Sequence, residues 1–132
     1  MTFTPRTSYG NFGASQWMQY AVARTGVAMP NCFTYATARI SEIVGSRQSL
    51  DGSSKVVGAG QLWATHAPEF AQSSTPVLGA LIIFQGGVAP YYYGHVAVVE
   101  GISGGRVTFS ESSYREFNFR LNSMSSAPGS YY

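Results

Sequence analysis

The sequence predicts an α+β fold in which N-terminal helices pack on a largely antiparallel β-sheet. Apolar residues recur at helical spacing up to residue 44, and short apolar runs replace this pattern after Pro76. Two of these runs, 95–100 and 106–112, flank the Gly-rich segment 101–105, which is typical of a β-hairpin. Because the helices precede the strands instead of alternating with them, we expect an antiparallel sheet.

Two helices are predicted in the first third of the chain. Ser15 is a favourable N-cap for a helix over residues 16–24, and Gly26 ends it. Pro30 suits the first turn of a second helix over residues 31–44. The apolar residues of this second helix share one predicted face: Phe33, Ala36, Ile40, Ile43 and Val44.

Further elements follow from the same patterns. Residues 60–66 predict a short helix or turn, 80–84 a central strand, and 118–122 one more strand. The loops 45–58 and 85–94 are rich in Gly, Ser, Pro and Tyr, and we expect them to shape any substrate groove.

The composition limits the classes of function. The 132 residues predict a single domain over 1–132, cut from a longer protein under one interpretation. Charged residues make up only 11% of the chain, and the net charge of +2 is scattered, so nucleic-acid binding has little support. No apolar run approaches membrane-spanning length, and no signal peptide is recognisable. The single cysteine cannot form an internal disulfide, and the few histidines predict no metal cluster or other cofactor.

Three residues in separate predicted elements form a candidate catalytic site. Cys32 begins the second helix, His95 begins a strand, and Glu111 lies in the partner strand. A helix N-terminus favours a thiolate, and a histidine oriented by a carboxylate is a suitable base for it. The N–H of Cys32 would face an oxyanion, and Asn31 is a candidate for a second donor.

The hairpin register predicts how the histidine meets its carboxylate. If Glu100 pairs with Arg106, His95 lies directly opposite Glu111 on one face of the sheet. A slip of one residue would move Glu111 to the other face. Glu100 itself is expected to be solvated and paired with Arg106 for little gain in stability.

Each residue alone also has a structural interpretation. A lone cysteine on an apolar helix is usually part of the core, and a lone histidine at a strand start is more often structural. Glu111 alone would be a solvated strand residue, and His66 is interpreted as structural. The catalytic hypothesis therefore depends on the three residues occurring together.

Aromatic residues near the histidine are candidates for a substrate groove, although tyrosine is also common at strand edges. Tyr92 and Tyr93 precede His95, and aromatic side chains often line the walls of such a groove. Trp63 and Tyr114 are further candidates, either for the rim of the groove or for the core.

Five sequence blocks resemble, in order, those of the CHAP domain, the cysteine, histidine-dependent amidohydrolase/peptidase. The blocks are NCFTYA (31–36), GQLW (60–63), PVLGALIIF (76–84), GHVAVVE (94–100) and SESSY (110–114). The resemblance implies a papain-like α+β fold and cleavage of amide bonds in bacterial peptidoglycan. It implies Cys32 as the nucleophile, His95 as the base and Glu111 as the residue that orients the base.

Two features depart from the family pattern. Many members carry an asparagine two residues after the glutamate, where this chain has Ser113, so an accessory role for Ser113 stays open. Some phage members bind calcium through an acidic loop before the cysteine. Residues 25–31 contain no carboxylate, so we expect no calcium there.

The leading hypothesis is a peptidoglycan hydrolase, the catalytic part of a phage lysin that is made in the host cytoplasm and acts on the cell wall after release. The sequence leaves open whether it is an N-acetylmuramoyl-L-alanine amidase or a cross-bridge endopeptidase. A wall-binding domain attached outside this chain would fit the hypothesis. The alternatives are a non-catalytic wall-binding module on a degenerate CHAP scaffold and an intracellular thiol amidase acting on a small metabolite.

Overall fold

The computed structural model describes residues 3–50, 75–84, 94–125 and 130–131. The predicted helix or turn at 60–66 and most of the two predicted groove loops lie outside these residues. Within them the chain forms two α-helices and a five-stranded antiparallel sheet, so the predicted α+β class is confirmed. None of these helices is long and apolar enough to cross a membrane.

Helix α1 spans Gln16–Thr25, so it begins at the predicted residue and ends one residue later than predicted, with Gly26 as its C-cap. Ser15 Oγ accepts the N–H of Met18 at 3.2 Å, which satisfies one of the free donors of the first turn. Gly26 adopts a left-handed φ of 76°, a conformation that costs glycine little and closes the last turn. A short 3₁₀ turn, Gly10–Ala14, precedes the helix.

Helix α2 spans Cys32–Val44, and its N-cap is Asn31, so Cys32 is its first residue. Asn31 Oδ1 accepts the N–H of Thr34 at 2.9 Å. Pro30 lies just before the cap, not inside the first turn.

The buried surface of α2 is wider than the predicted apolar face. Ala36 and Ile40 are buried as expected, whereas Val44 is 39% exposed. Tyr35 and Arg39 are buried although they fall outside the predicted stripe. The helix contacts α1 on one side and strands of the sheet on the other, so most of its circumference is covered.

The sheet runs in the order β4-β3-β2-β1-β5. Its strands are β1 (Leu81–Phe84), β2 (His95–Ser103), β3 (Arg106–Ser113), β4 (Phe117–Ser125) and β5 (Ser130–Tyr131). Since side chains alternate between the two faces of a strand, the buried residues form two clusters. The cluster that includes the helices takes its sheet residues from β1 and β2: Leu81, Ile83, Val96 and Val98. The second cluster contains Ala80, Ile82, Ala97, Val99, Val107 and Phe109.

The hairpin register differs from the prediction. A two-residue turn, 104–105, joins β2 to β3 in place of the expected five-residue loop. Val98 pairs with Ser110. In this register the position opposite Glu111 is residue 97, and His95 lies two residues before it. The two catalytic candidates are therefore diagonal neighbours, and the predicted pairing was wrong.

A β-bulge at Glu100 keeps the two catalytic candidates on one face of the sheet. The register shifts between Val99 and Gly101, which leaves Glu100 without a ladder partner in β3. The two-residue turn alone would place His95 and Glu111 on opposite faces, because each one-residue shift exchanges the faces. The extra residue of the bulge reverses that exchange.

Glu100 is buried, and the prediction that it is solvated and paired with Arg106 was wrong. Its carboxylate accepts hydrogen bonds from Arg39 Nε at 2.9 Å and Nη2 at 2.7 Å. Ser110 Oγ at 2.6 Å and the main-chain N–H of Arg6 at 2.8 Å also donate to it. The ion pair therefore joins α2 to the bulge, while Arg106 lies exposed on β3.

Candidate active site

The three predicted catalytic residues meet where the start of α2 reaches the sheet. His95 is the first residue of β2, its side chain is 4% exposed, and its Nε2 lies 2.8 Å from Glu111 Oε1. The thiol of Cys32 hydrogen-bonds to the same ring. Because Glu111 lies at Nε2, we assign the contact with the sulfur to the other ring nitrogen, Nδ1. The ring of Phe84, across the ladder in β1, packs against His95 with centroids 5.6 Å apart.

The surroundings of His95 favour its charged form. Burial disfavours a charged ring, but the hydrogen bonds and charges of Cys32 and Glu111 outweigh it and raise the pKa of His95 to about 9. The ring therefore holds a proton at neutral pH. A protonated imidazole beside a sulfur is the arrangement that stabilises a thiolate nucleophile.

Glu111 is fully buried and uses both carboxylate oxygens. Oε1 faces His95, and Oε2 accepts from Arg120 Nε at 2.9 Å and from Asn122 Nδ2 at 3.3 Å. Burial opposes ionisation of Glu111, but hydrogen bonds and charges from His95 and Arg120 hold its pKa below the usual range. The carboxylate is therefore an anion at neutral pH, as an orienting group for the histidine must be.

Cys32 is half-buried and lies in the first turn of α2, where the backbone N–H groups of a helix lack partners within the helix. Asn31 accepts the N–H of Thr34 through Oδ1 and the N–H of Tyr35 through its carbonyl oxygen. Within the described part of the chain, the N–H of Cys32 has no such acceptor. As the first N–H of a helix it needs an acceptor from outside the helix, and an oxyanion formed beside the sulfur would be such an acceptor.

The main-chain N–H of Asn31 is already in use, because it donates to Ser112 Oγ at 3.1 Å. A second oxyanion donor from Asn31 would have to be its side-chain amide. Ser112 is buried and donates in turn to the carbonyl oxygen of Phe117 at 3.0 Å. It thereby fixes the start of α2, and with it Cys32, to β3 and β4.

Sequence reasoning missed Ser112, Phe84, Arg120 and Asn122. A serine or phenylalanine in a strand carries no local signal of such a role. Arg120 and Asn122 are two residues apart in β4, so the sequence indicates that they share a face of the strand. Their proximity to Glu111 depends on the β3–β4 register, which the sequence does not reveal.

Of the other residues predicted to have accessory or substrate-groove roles, two lie at the turn from β3 to β4 and three lie outside the described residues. Ser113 ends β3, is half-buried, and its carbonyl oxygen accepts the N–H of Glu116 in the turn to β4. Tyr114 is 58% exposed in that turn, with the guanidinium of Arg115 at 5.1 Å from its ring centroid. Trp63, Tyr92 and Tyr93 lie outside the described residues. The accessory and substrate-groove roles of all these residues stay predictions.

The metal prediction can be compared with the described residues only. Among residues 3–50, 75–84, 94–125 and 130–131, no three His, Cys, Asp or Glu side chains form a group suited to a metal ion.

The fold and the site define an α+β domain in which a cysteine at a helix start faces a histidine on an antiparallel sheet. The CHAP domain family model matches residues 22–113, and the chain belongs to the CHAP domain family. This confirms the family that the sequence blocks resemble. No curated protein matches the sequence.

Two solved structures share the fold. The crystal structure of Ly7917 has a TM-score of 0.53 at 18% identity, covering 88% of this chain and 60% of that one. The crystal structure of Ly7917 with the hydrolyzing product of MDP has a TM-score of 0.56 at 20% identity, covering 87% and 60%. The chain thus spans 60% of the length of either structure.

Proposed function

We propose that this CHAP domain hydrolyses an amide bond of bacterial peptidoglycan, with Cys32 as the nucleophile. The observation that carries the proposal is the ring of His95, held between the thiol of Cys32 and the buried carboxylate of Glu111. Membership of the family supports an amide as the bond cleaved. The fold shared with Ly7917, whose structure includes the hydrolyzing product of MDP, supports peptidoglycan as the substrate class.

In the first half of the reaction, Cys32 is acylated. The thiol proton resides on His95, and Sγ attacks the amide carbon while the carbonyl electron pair moves to oxygen. The N–H of Cys32 donates to this oxyanion, which stabilises the tetrahedral intermediate. The C–N bond then breaks, His95 gives its proton to the leaving amine, and a thioester remains on Cys32.

In the second half, water releases the product. The neutral His95 takes a proton from water while the water oxygen attacks the thioester carbon. The C–S bond breaks, the carboxylic acid leaves, and the thiolate and protonated His95 are restored. Glu111 accepts the Nε2 hydrogen throughout, which keeps Nδ1 directed at the sulfur.

The experiment is digestion of purified peptidoglycan by the wild type, by Cys32→Ala and by Arg106→Gln. Cys32→Ala is expected to release no fragments while it unfolds as cooperatively as the wild type. Arg106 lies exposed at the turn end of the hairpin, away from His95, so Arg106→Gln should retain activity. Undiminished digestion by Cys32→Ala would contradict the proposed nucleophile.

Mass spectrometry of the products identifies the bond. An N-acetylmuramoyl-L-alanine amidase separates the whole peptide from the glycan, whereas an endopeptidase creates new termini within the peptides. Binding of cell walls without any release would favour the non-catalytic wall-binding module. Rapid alkylation of Cys32 in a protein that neither binds nor cuts walls would favour the amidase acting on a small metabolite.

A further inference from the structure

Glu111 has a second ion-pair partner that the proposed reaction does not use. Arg120 lies directly opposite Glu111 in the β3–β4 ladder, and its Nε and Nη2 are 2.9 and 2.8 Å from Glu111 Oε2. Asn122, two residues further along the same face of β4, contributes Nδ2 at 3.3 Å. His95 thus contacts one carboxylate oxygen, and β4 contacts the other.

A second contact holds the guanidinium of Arg120 in place. Its Cζ lies 4.3 Å from the centroid of the Phe117 ring, a cation–π arrangement within β4. The Arg120 side chain is 49% exposed, whereas that of Glu111 is 0% exposed. The arginine therefore reaches inward from the edge strand of the sheet to a buried carboxylate.

The charges of the site explain why a second cation is needed. Two charged groups of the described chain act on Glu111, His95 from β2 and Arg120 from β4, and Cys32 of α2 acts in turn on the histidine. With Cys32 as a thiolate, two negative charges flank the single positive charge of His95. Because burial disfavours charge, a buried carboxylate in that position would take up a proton more readily if His95 were its only cation.

We propose that Arg120, assisted by Asn122, is a positioning residue that keeps Glu111 ionised and directed at His95. This role rests on the proposed function of the Cys32–His95 pair. A protonated Glu111 would stabilise the charged ring less, and a ring that loses its proton more easily would stabilise the thiolate less. Arg120 therefore acts on the nucleophile through two intermediate groups and does not touch the substrate.

The test is the pH dependence of Cys32 alkylation by iodoacetamide, which needs no peptidoglycan. Cys32 is the only cysteine among the 132 residues, so the intact mass counts one adduct. Arg120→Gln keeps a hydrogen-bond donor near Glu111 but removes the charge. We expect it to move the acid limb of the profile, where alkylation first appears as the pH rises, upward by about one pH unit. An opposite charge nearby shifts a pKa by about 1–3 units, and we expect the lower end of that range because Arg120 is half exposed.

Two further variants show whether a shift caused by Arg120→Gln is due to the lost charge. Arg120→Lys keeps the charge but lacks the planar pair of N–H groups, so it should restore part of the shift. Arg106→Gln is the matched control, because Arg106 also makes a side-chain contact between β3 and β4. Its partner is uncharged: Arg106 Nη2 donates to Ser123 Oγ at 3.1 Å. It should leave the acid limb where it is in the wild type.

The outcomes separate the role of Arg120 from the function of the site. If Arg120→Gln lowers only the thermal stability, or shifts the limb no more than Arg106→Gln does, Arg120 is not a positioning residue. If His95→Gln leaves the alkylation profile unchanged, the proposed site is wrong, and the role of Arg120 fails with it. A domain that does not cut peptidoglycan but shows the predicted shifts would keep the role of Arg120 and lose only the substrate.

Discussion

Replacement of Arg39 by methionine should destabilise the fold strongly, because it leaves the buried Glu100 without a cation. The two side chains are 4% and 2% exposed, so solvent screens their interaction little. After the change, the donors of the described chain that still face the carboxylate would be neutral: Ser110 Oγ and the N–H of Arg6. Removal of one partner from a buried pair costs about 3–5 kcal/mol.

Thermal and urea denaturation measure this cost. At about 4 °C per kcal/mol for a domain of this size, Arg39→Met should lower Tm by about 12–20 °C. Arg106→Met is the matched control, because the sequence predicted Arg106 as the partner of Glu100. It should change the unfolding free energy by less than about 0.5 kcal/mol.

The double variant Arg39→Met/Glu100→Gln should cost less than the sum of the single changes, because it leaves no buried charge unpaired. Equal effects of Arg39→Met and Arg106→Met would refute the assignment of the Glu100 partner. Strict additivity in the double variant would show that the two side chains do not interact.

Three further predictions concern the residues around the candidate active site. His95 has a raised pKa, so its stabilisation is complete below the unfolded value of about 6.5 and is lost as pH rises through about 9. Tm of the wild type should therefore fall more steeply over that range than Tm of His95→Gln, and parallel curves would contradict the raised pKa. The lowered pKa of Glu111 acts in the opposite direction, and its stabilisation should be lost as the solution is acidified. Ser112→Ala should cost about 1–3 kcal/mol in urea denaturation, because the N–H of Asn31 loses its buried acceptor. Ser113→Ala, one residue further on and half-buried, serves as its control, and equal costs would show that Ser112 does not fix the start of α2.

Both helices could be predicted closely from the sequence, because their signals are local. The cap Ser15 and the terminal Gly26 lie within a few residues of the helix they bound, and the observed ends agree to one residue. The same holds for Asn31 and α2, which places Cys32 at a helix start. The burial of Arg39 could not be predicted, because it depends on Glu100, which is 61 residues away along the chain.

The sequence by itself therefore determined the fold class, the two helices and the identity of three catalytic candidates. The tertiary structure decided how those candidates meet. The short turn would have placed Glu111 on the wrong face, and the bulge at Glu100 reverses this. Glu100 binds Arg39 of α2, and Glu111 is shared between His95 and Arg120 from two neighbouring strands. Contacts between distant segments form only when the chain is folded, so no local pattern encodes them.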